Sequence, residues 1–150
     1  MVQEKLRILV VDDDKGITGS LRILLESEGY QTDVAHTVKE AIDKSYENDY
    51  NLAILDIKLP DGEGTSLLKA LRETSPKTVK IMLTGYPMLK NAVDSLNDGA
   101  VAYLTKPVDV EKLLETIKSK IEEQKAAETA TEDSISVFLR NRTKKLLTDN

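Results

Sequence analysis

The 150-residue sequence predicts one α/β domain with a doubly wound, five-stranded parallel sheet flanked by five helices. Short runs of apolar and β-branched residues alternate with longer segments in which apolar residues recur at helical spacing. The short runs are apolar throughout, which is typical of parallel strands that are covered by helices on both faces. Five such strand–helix repeats extend to about residue 122 and leave a C-terminal extension, predicted to be helical or disordered.

The first half of the chain contains two of these repeats. Residues 6–11 (LRILVV) predict a buried strand, and residues 15–29 predict a helix that ends at a glycine. Residues 30–35 predict an outer strand. Thr37 followed by Glu40 is a capping-box pattern and predicts the start of the second helix. The apolar stripe of that helix would consist of Val38, Ala41, Ile42 and Tyr46.

Three further repeats follow in the second half. Strands are predicted at 51–56, 79–83 and 101–105. Helices are predicted at 65–75, at 86–99 and after the capping residue Asp109.

The composition excludes several classes of protein. A net charge of −5, with 26 acidic and 21 basic residues, lacks the basic footprint of a nucleic-acid-binding protein. The absence of cysteine excludes disulfides, thiolate catalysis and cysteine-based zinc sites. No apolar stretch approaches the roughly 20 residues that a membrane span requires. We therefore expect a cytoplasmic protein that binds neither nucleic acid nor membrane.

Polar side chains follow several of the predicted strands at the point where each strand ends. Because ligands of such sheets bind outside the carboxyl ends of the strands, we expect these side chains to converge at one edge. They are Asp12 and Asp13 after the first strand, Asp56 after the third, Thr84 after the fourth and Lys106 after the fifth.

This set of side chains suits phosphoryl chemistry. Carboxylate oxygens without histidine or cysteine partners favour a hard cation such as Mg²⁺. A lysine and a threonine can bind phosphoryl oxygens, and a carboxylate can act as a nucleophile that forms an aspartyl phosphate. Asp56 stands alone on the central strand and is the better nucleophile, whereas the adjacent Asp12 and Asp13 are better metal ligands.

The motifs ILVVDDD, LAILDIKLPDGEG, KIMLTG and AYLTKP, in this order and at this spacing, resemble those of response-regulator receiver domains. The resemblance covers roughly residues 5–122 and implies a flavodoxin-like sheet with strand order 2-1-3-4-5, as in chemotaxis regulators. It divides the chain into a receiver domain at 1–122 and an extension at 123–150, which would continue the last helix, form a linker or begin an output region.

Residue by residue, the resemblance implies that Asp56 accepts a phosphoryl group and contributes to a Mg²⁺ site. Asp13 would bind the metal directly, Asp12 would bind it through water, and the backbone carbonyl of Lys58 would complete the protein ligands. Further roles are implied for a phosphate-binding pair (Thr84 and Lys106), an aromatic switch (Tyr103), a proline after a cis peptide bond (Pro107) and the loop after the acceptor strand (Pro60 and Gly64).

The resemblance also implies partners. A sensor histidine kinase or a small acyl phosphate would donate the phosphoryl group, and residues 87–122 would mediate a homodimer or bind an output partner. The chain would not be an enzyme beyond self-phosphorylation from small donors and loss of its own phosphoryl group.

Other functions remain open at this point. A haloacid-dehalogenase-type phosphatase would need an acid two residues after its nucleophile, where this chain has Lys58. A flavodoxin-like cofactor-binding protein would need a phosphate-binding loop after the first strand, where three aspartates stand. A degenerate receiver would bind partners without phosphorylation. Asp56 could also simply cap a turn, Tyr103 could simply pack, and the single histidine, His36, is predicted to be exposed.

Overall fold

The computed structural model describes residues 5–85 and 88–148. Its strands are β1 (Arg7–Val11), β2 (Gln31–Ala35), β3 (Leu52–Leu55), β4 (Lys58–Leu59), β5 (Gly62–Glu63), β6 (Val79–Thr84) and β7 (Ala102–Thr105). Its helices are α1 (Lys15–Ser27), α2 (Val38–Glu47), α3 (Gly64–Thr74), α4 (Leu89–Asn97) and α5 (Val110–Thr148). The predicted fourth helix began at Tyr86, which lies outside the described residues together with Pro87.

The main sheet has five parallel strands in the order β2-β1-β3-β6-β7. Counted among the strands of this sheet, the order is 2-1-3-4-5, so the predicted topology is confirmed. The chain leaves β1 for one edge of the sheet and then crosses back to β3 on the other side. The order therefore reverses between β1 and β3, and this is the point where ligands bind in sheets of this type.

Each face of the sheet buries its own apolar cluster. On one face, β-strand side chains pack against α2 and α3, whose buried residues include Ala41, Leu67, Leu68 and Leu71. On the other face they pack against α1 and α5, whose buried residues include Leu21, Leu25, Leu113, Ile117 and Ile121. The continuous apolar strands of the sequence are thus covered on both sides, as parallel strands require.

Several helix boundaries follow their sequence signals. The Asp14 carboxylate accepts hydrogen bonds from the backbone N–H groups of Gly16 and Ile17 and so caps α1. The Thr37 hydroxyl caps α2 through the N–H of Glu40 at 3.0 Å. Gly29, which follows α1, has a positive φ of 92°, a conformation that glycine adopts at little cost.

Three details differ from the sequence prediction or extend it. Residues after β3 that read as a loop contain the short antiparallel hairpin β4–β5, which forms a separate two-stranded sheet. The prediction that Tyr46 belongs to the buried apolar stripe of α2 is wrong, because this residue, near the C-terminal end of the helix, is 71% exposed. The C-terminal extension is helical, since α5 continues without interruption through residue 122 as far as Thr148.

Within the described residues, the helices carry no stretch that is both long and apolar enough to cross a membrane.

Candidate functional site at the carboxyl edge of the sheet

Asp12 and Asp56 are neighbours because their strands are neighbours. Val11 pairs with Leu55 at the ends of β1 and β3, so the residues that follow emerge side by side. The backbone N–H of Asp56 donates to the carbonyl of Val11 at 3.0 Å, which continues the strand ladder by one residue. The rigid sheet therefore holds both carboxylates at the point where the strand order reverses.

Three carboxylates meet at this edge. Oxygen atoms of Asp12, Asp13 and Asp56 all lie within 4.8 Å of one another. Asp12 and Asp56 are almost completely buried, at 3% and 4% exposure, whereas Asp13 is exposed. The cluster thus consists of two buried carboxylates and one exposed carboxylate, which repel one another when they are charged.

Lys106 is the cation that faces this cluster. Its Nζ lies 2.6 Å from Oδ2 of Asp12 and 3.1 Å from Oδ2 of Asp56. Burial by itself lowers the pKa of Lys106, but the hydrogen bonds to the two carboxylates outweigh it and the pKa is raised. The peptide bond between Lys106 and Pro107 is cis.

Among the described residues, Lys106 pairs with two of the three clustered carboxylates, those of Asp12 and Asp56. Burial raises the pKa of Asp12, and the neighbouring charge of Asp56 also raises it. The hydrogen bonds from Lys106 and from the backbone N–H of Asp14 only partly oppose this effect. The negatively charged form of Asp12 is therefore disfavoured in the folded protein, and an added cation would relieve the cluster.

Thr84 and Tyr103 come from the two strands beyond β3. The Thr84 side chain is fully buried at the end of β6, and its carbonyl accepts the backbone N–H of Lys106 at 2.8 Å. Tyr103 is half-buried against the α2–α3 side of the core. The pKa of Tyr103 is raised, mainly by burial and to a smaller extent by the charge of Asp56. A hydrogen bond from the Met88 backbone opposes this shift only in part. Tyr103 thus lies within the electrostatic reach of Asp56.

The loop after Asp56 is tied closely to it. The Ile57 backbone N–H donates to Oδ1 of Asp56 at 2.7 Å. The chain then forms the β4–β5 hairpin, with the exposed Pro60 in its turn, and returns at Gly64. A Cβ atom at Gly64 would lie 1.9 Å from the carbonyl oxygen of Asp56, a distance at which no side chain fits. Lys58, the first residue of the hairpin, pairs with Glu63.

The donor set fits a hard divalent cation. Within the part of the chain that the structure describes, the clustered acidic groups supply oxygen ligands only, and the exposed Asp13 leaves the site open to solvent. Oxygen coordination with room for water is the environment that Mg²⁺ prefers. Asp12, Asp13 and Asp56 are the residues that would hold such an ion.

Two residues near this edge make contacts that the sequence did not predict. His36 is half-buried rather than exposed, because its Nε2 lies 3.1 Å from the hydroxyl of the buried Thr18. Asp61, in the turn of the hairpin, accepts hydrogen bonds from the backbone N–H groups of Val38 and Lys39 at the start of α2. A turn aspartate followed by glycine was a visible signal, but its partner helix lies 23 residues away in sequence.

The structure is similar to solved receiver domains. A CheY-like response regulator receiver domain protein from Methanospirillum hungatei is 48% identical and covers 83% of this chain and 99% of its own, with a TM-score of 0.81. A response regulator from Burkholderia pseudomallei, solved with a phosphorylated aspartic acid, a calcium ion and citrate, is 31% identical. It covers 85% of this chain and 75% of its own, with a TM-score of 0.74.

Curated relatives are regulatory proteins. The transcriptional regulatory protein YkoG of Bacillus subtilis is 38% identical over 136 residues, which are 91% of this chain and 58% of that protein. The chain spans between 27% and 58% of the length of the first curated relatives that it matches. The family model for the response regulator receiver domain matches residues 8–118, most of the chain. With the fold and the acidic edge described above, this match establishes that the chain belongs to the response-regulator receiver domain family.

Proposed function

We propose that Asp56 accepts a phosphoryl group from the phosphohistidine of a sensor histidine kinase or from a small acyl phosphate. The observation that carries this proposal is the position of Asp56. It directly follows the central strand, its Oδ1 accepts the Ile57 N–H, and its Oδ2 lies 3.1 Å from the Lys106 ammonium group. A fixed carboxylate beside a fixed cation is prepared for attack on an electrophilic phosphorus.

The transfer of the phosphoryl group to Asp56 involves no oxidation or reduction. A carboxylate oxygen of Asp56 forms a bond to phosphorus while the bond from phosphorus to the donor nitrogen or acyl oxygen breaks. The electron pair of the broken bond leaves with the donor. Lys106 then pairs with an oxygen of the new phosphoryl group, and the hydroxyl of Thr84 donates a hydrogen bond to another.

Mg²⁺ belongs to this proposal as the cofactor. Asp13 would hold it directly, Asp12 would hold it through water, and Asp56 and the backbone carbonyl of Lys58 would complete the protein ligands. When bound, the ion neutralises the carboxylates and the charge on the transferred phosphoryl oxygens. Support for this role comes from the three-carboxylate cluster, in which the described ion pairs of Asp12 and Asp56 go to the same lysine, Lys106.

The readout of phosphorylation is proposed to run through Thr84 and Tyr103 to the face formed by α4, β7 and the first part of α5. Several large apolar side chains on this face are substantially exposed: Met88 (61%), Val93 (47%), Leu96 (52%), Val101 (43%) and Val110 (44%). Exposed apolar side chains favour a contact with another protein surface. We infer that this part of the 87–122 region mediates a homodimer or binds an output partner. Residues 1–122 act as the receiver, and residues 123–150 extend from it.

Intact-mass analysis after incubation with acetyl phosphate and Mg²⁺ tests the proposal. We expect wild type to gain a phosphoryl adduct of ~80 Da that requires Mg²⁺, and Asp56→Asn to reduce the adduct at least about a hundredfold. Asp14→Asn is the matched control, because Asp14 is a neighbouring exposed aspartate that caps α1. A wild-type chain that takes no label from acetyl phosphate or from histidine kinases would favour binding of partners without phosphorylation.

A further inference from the structure

The β4–β5 hairpin begins and ends at Asp56. At its start, the Ile57 N–H donates to the Asp56 side chain. At its end, the Gly64 N–H donates to the Ile57 carbonyl, and Gly64 lies directly against the Asp56 carbonyl oxygen. Both ends of the hairpin are therefore held at Asp56 and Ile57, while its turn contains Pro60 and Asp61.

The turn of this hairpin is held by α2. Oδ1 of Asp61 accepts the Val38 N–H at 2.8 Å, and Oδ2 accepts the Lys39 N–H at 3.0 Å. These two hydrogen bonds lower the pKa of Asp61, so its carboxylate is charged at neutral pH, as suits the N-terminus of a helix. Gly62 adds a close approach, because a Cβ atom there would lie 3.3 Å from Cγ2 of Val38.

The start of α2 thus has two side-chain caps of different origin. Thr37 precedes the helix and caps the N–H of Glu40. Asp61 comes from the hairpin and caps the N–H groups of Val38 and Lys39. Both caps support the start of α2, but only the Asp61 cap also joins the hairpin to the helix.

We propose that Asp61 is a positioning residue for the metal site, acting through the hairpin on the backbone of Lys58. Lys58 lies between Asp56 and the turn of the hairpin, so the position of its backbone depends on both Asp56 and the turn being held in place. This inference rests on the proposed function in one respect, which is that the Lys58 carbonyl binds the metal. It goes beyond that function by making α2 part of the support of the site.

Linkage gives the proposal a consequence that needs no variant. If the Asp61 contact strengthens metal binding, metal binding must strengthen the contact by the same factor. Addition of Mg²⁺ to the wild-type chain should therefore slow hydrogen exchange at the Val38 and Lys39 amides, which donate to Asp61. The Glu40 amide, which donates to Thr37, should change less.

The deciding experiment measures the Mg²⁺ dissociation constant of the full chain by calorimetry. Asp61→Ala should raise the constant about tenfold, at the lower end of what outer-shell partners of metal ligands contribute. Two variants serve as controls, and both should leave the constant within about twofold of wild type. Thr37→Ala removes the other cap of α2, and Glu63→Gln removes a neighbouring charge from the same hairpin.

The outcomes separate cleanly. Weaker binding in Asp61→Ala alone, with slower exchange at Val38 and Lys39 in wild type, supports the proposal. Equal weakening by Thr37→Ala would mean that fraying of α2 suffices, and equal weakening by Glu63→Gln would mean that hairpin charge suffices. Either result overturns the proposal, as does unchanged binding in Asp61→Ala. A wild-type chain that binds no Mg²⁺ would overturn the metal site of the proposed function and this inference with it.

Discussion

The two edges of the sheet differ in how their charged side chains are paired. Near the amino edge, Asp33 is bound by the Arg7 guanidinium at 3.1 Å and by the Tyr50 hydroxyl at 2.7 Å. Arg7 also lies over the Tyr50 ring, 5.6 Å from its centroid, and donates its backbone N–H to the side chain of Asn51. At the carboxyl edge, Asp12, Asp13 and Asp56 face Lys106.

The difference separates charges that stabilise the fold from charges that wait for a ligand. In the group formed by Arg7, Asp33, Tyr50 and Asn51, here called the Arg7 network, one anion has one cation and a hydroxyl donor. In the acidic cluster (Asp12, Asp13 and Asp56), three carboxylates lie together, and in the described part of the chain two of them pair with the same lysine, Lys106. Neutralising the single anion of the Arg7 network, Asp33, should therefore destabilise the protein, whereas neutralising an aspartate of the acidic cluster should stabilise the metal-free protein.

Gly64→Ala has the largest expected effect on stability because the added side chain would collide with the backbone of Asp56, a member of the acidic cluster. The added Cβ would lie 1.9 Å from the Asp56 carbonyl oxygen, so either Asp56 or the start of α3 must move. We expect a loss of at least about 3 kcal/mol in the free energy of unfolding. Gly19→Ala is the control, since a Cβ at this exposed helical position meets no atom within 4 Å. It should raise stability by about 0.5–1 kcal/mol; a stable Gly64→Ala variant in urea denaturation would contradict the packing described.

Lys106→Met removes the cation of the acidic cluster and comes second in size. With Asp12 and Asp56 left buried and unpaired, the metal-free protein should lose about 2 kcal/mol of stability. Because the pKa of Lys106 is raised above 10.5 in the folded protein, this contribution is fully present below pH 10.5. It is lost only as the pH rises through the folded-state pKa.

Chemical denaturation with and without Mg²⁺ measures this second effect. Mg²⁺ should stabilise Lys106→Met more than it stabilises wild type, because the ion no longer competes with an ammonium group for the same carboxylates. Equal stabilisation of the two proteins by Mg²⁺ would show that Lys106 and the ion do not share their partners.

Arg7→Met tests the amino edge and should have a smaller effect. The Arg7 and Asp33 side chains are 30% and 24% exposed, so solvent screens the pair and we expect a loss of about 1 kcal/mol. The Mg²⁺ dissociation constant should stay unchanged, as the Arg7 network lies away from the acidic cluster. A change in Mg²⁺ affinity would mean that the two edges are coupled and would blur the comparison.

Much of the carboxyl edge could be predicted from the sequence because topology brings it together. Asp12 and Asp56 directly follow strands with a clear apolar run, Thr84 ends one, and parallel strands deliver such residues to one edge. The Arg7 network had no comparable signal. Arg7, Asp33 and Tyr50 come from separate segments, and nothing in a single sequence indicates which charged side chains will pair.

The hairpin and the second helix show where pattern reasoning fails. β4 and β5 have two residues each, too few for a period of two to appear, and Asp61 looks like an ordinary turn residue. Tyr46 has the spacing of a core residue, but a helix end can extend past the sheet that it covers, and the ring is left in solvent. Periodicity gives the direction of a side chain and not the extent of its neighbours.

Urea denaturation of Asp13→Asn with and without Mg²⁺ tests most directly the claim made for the acidic cluster. The claim is that repulsion among the carboxylates of the acidic cluster destabilises the metal-free protein and that a bound cation relieves it. The variant removes one charge from an exposed position, so its backbone and packing should be preserved. We predict that the metal-free variant is more stable than metal-free wild type by up to about 1 kcal/mol and that it loses most of the stabilisation by Mg²⁺. A metal-free variant less stable than wild type, or one that Mg²⁺ stabilises as strongly, would contradict the account.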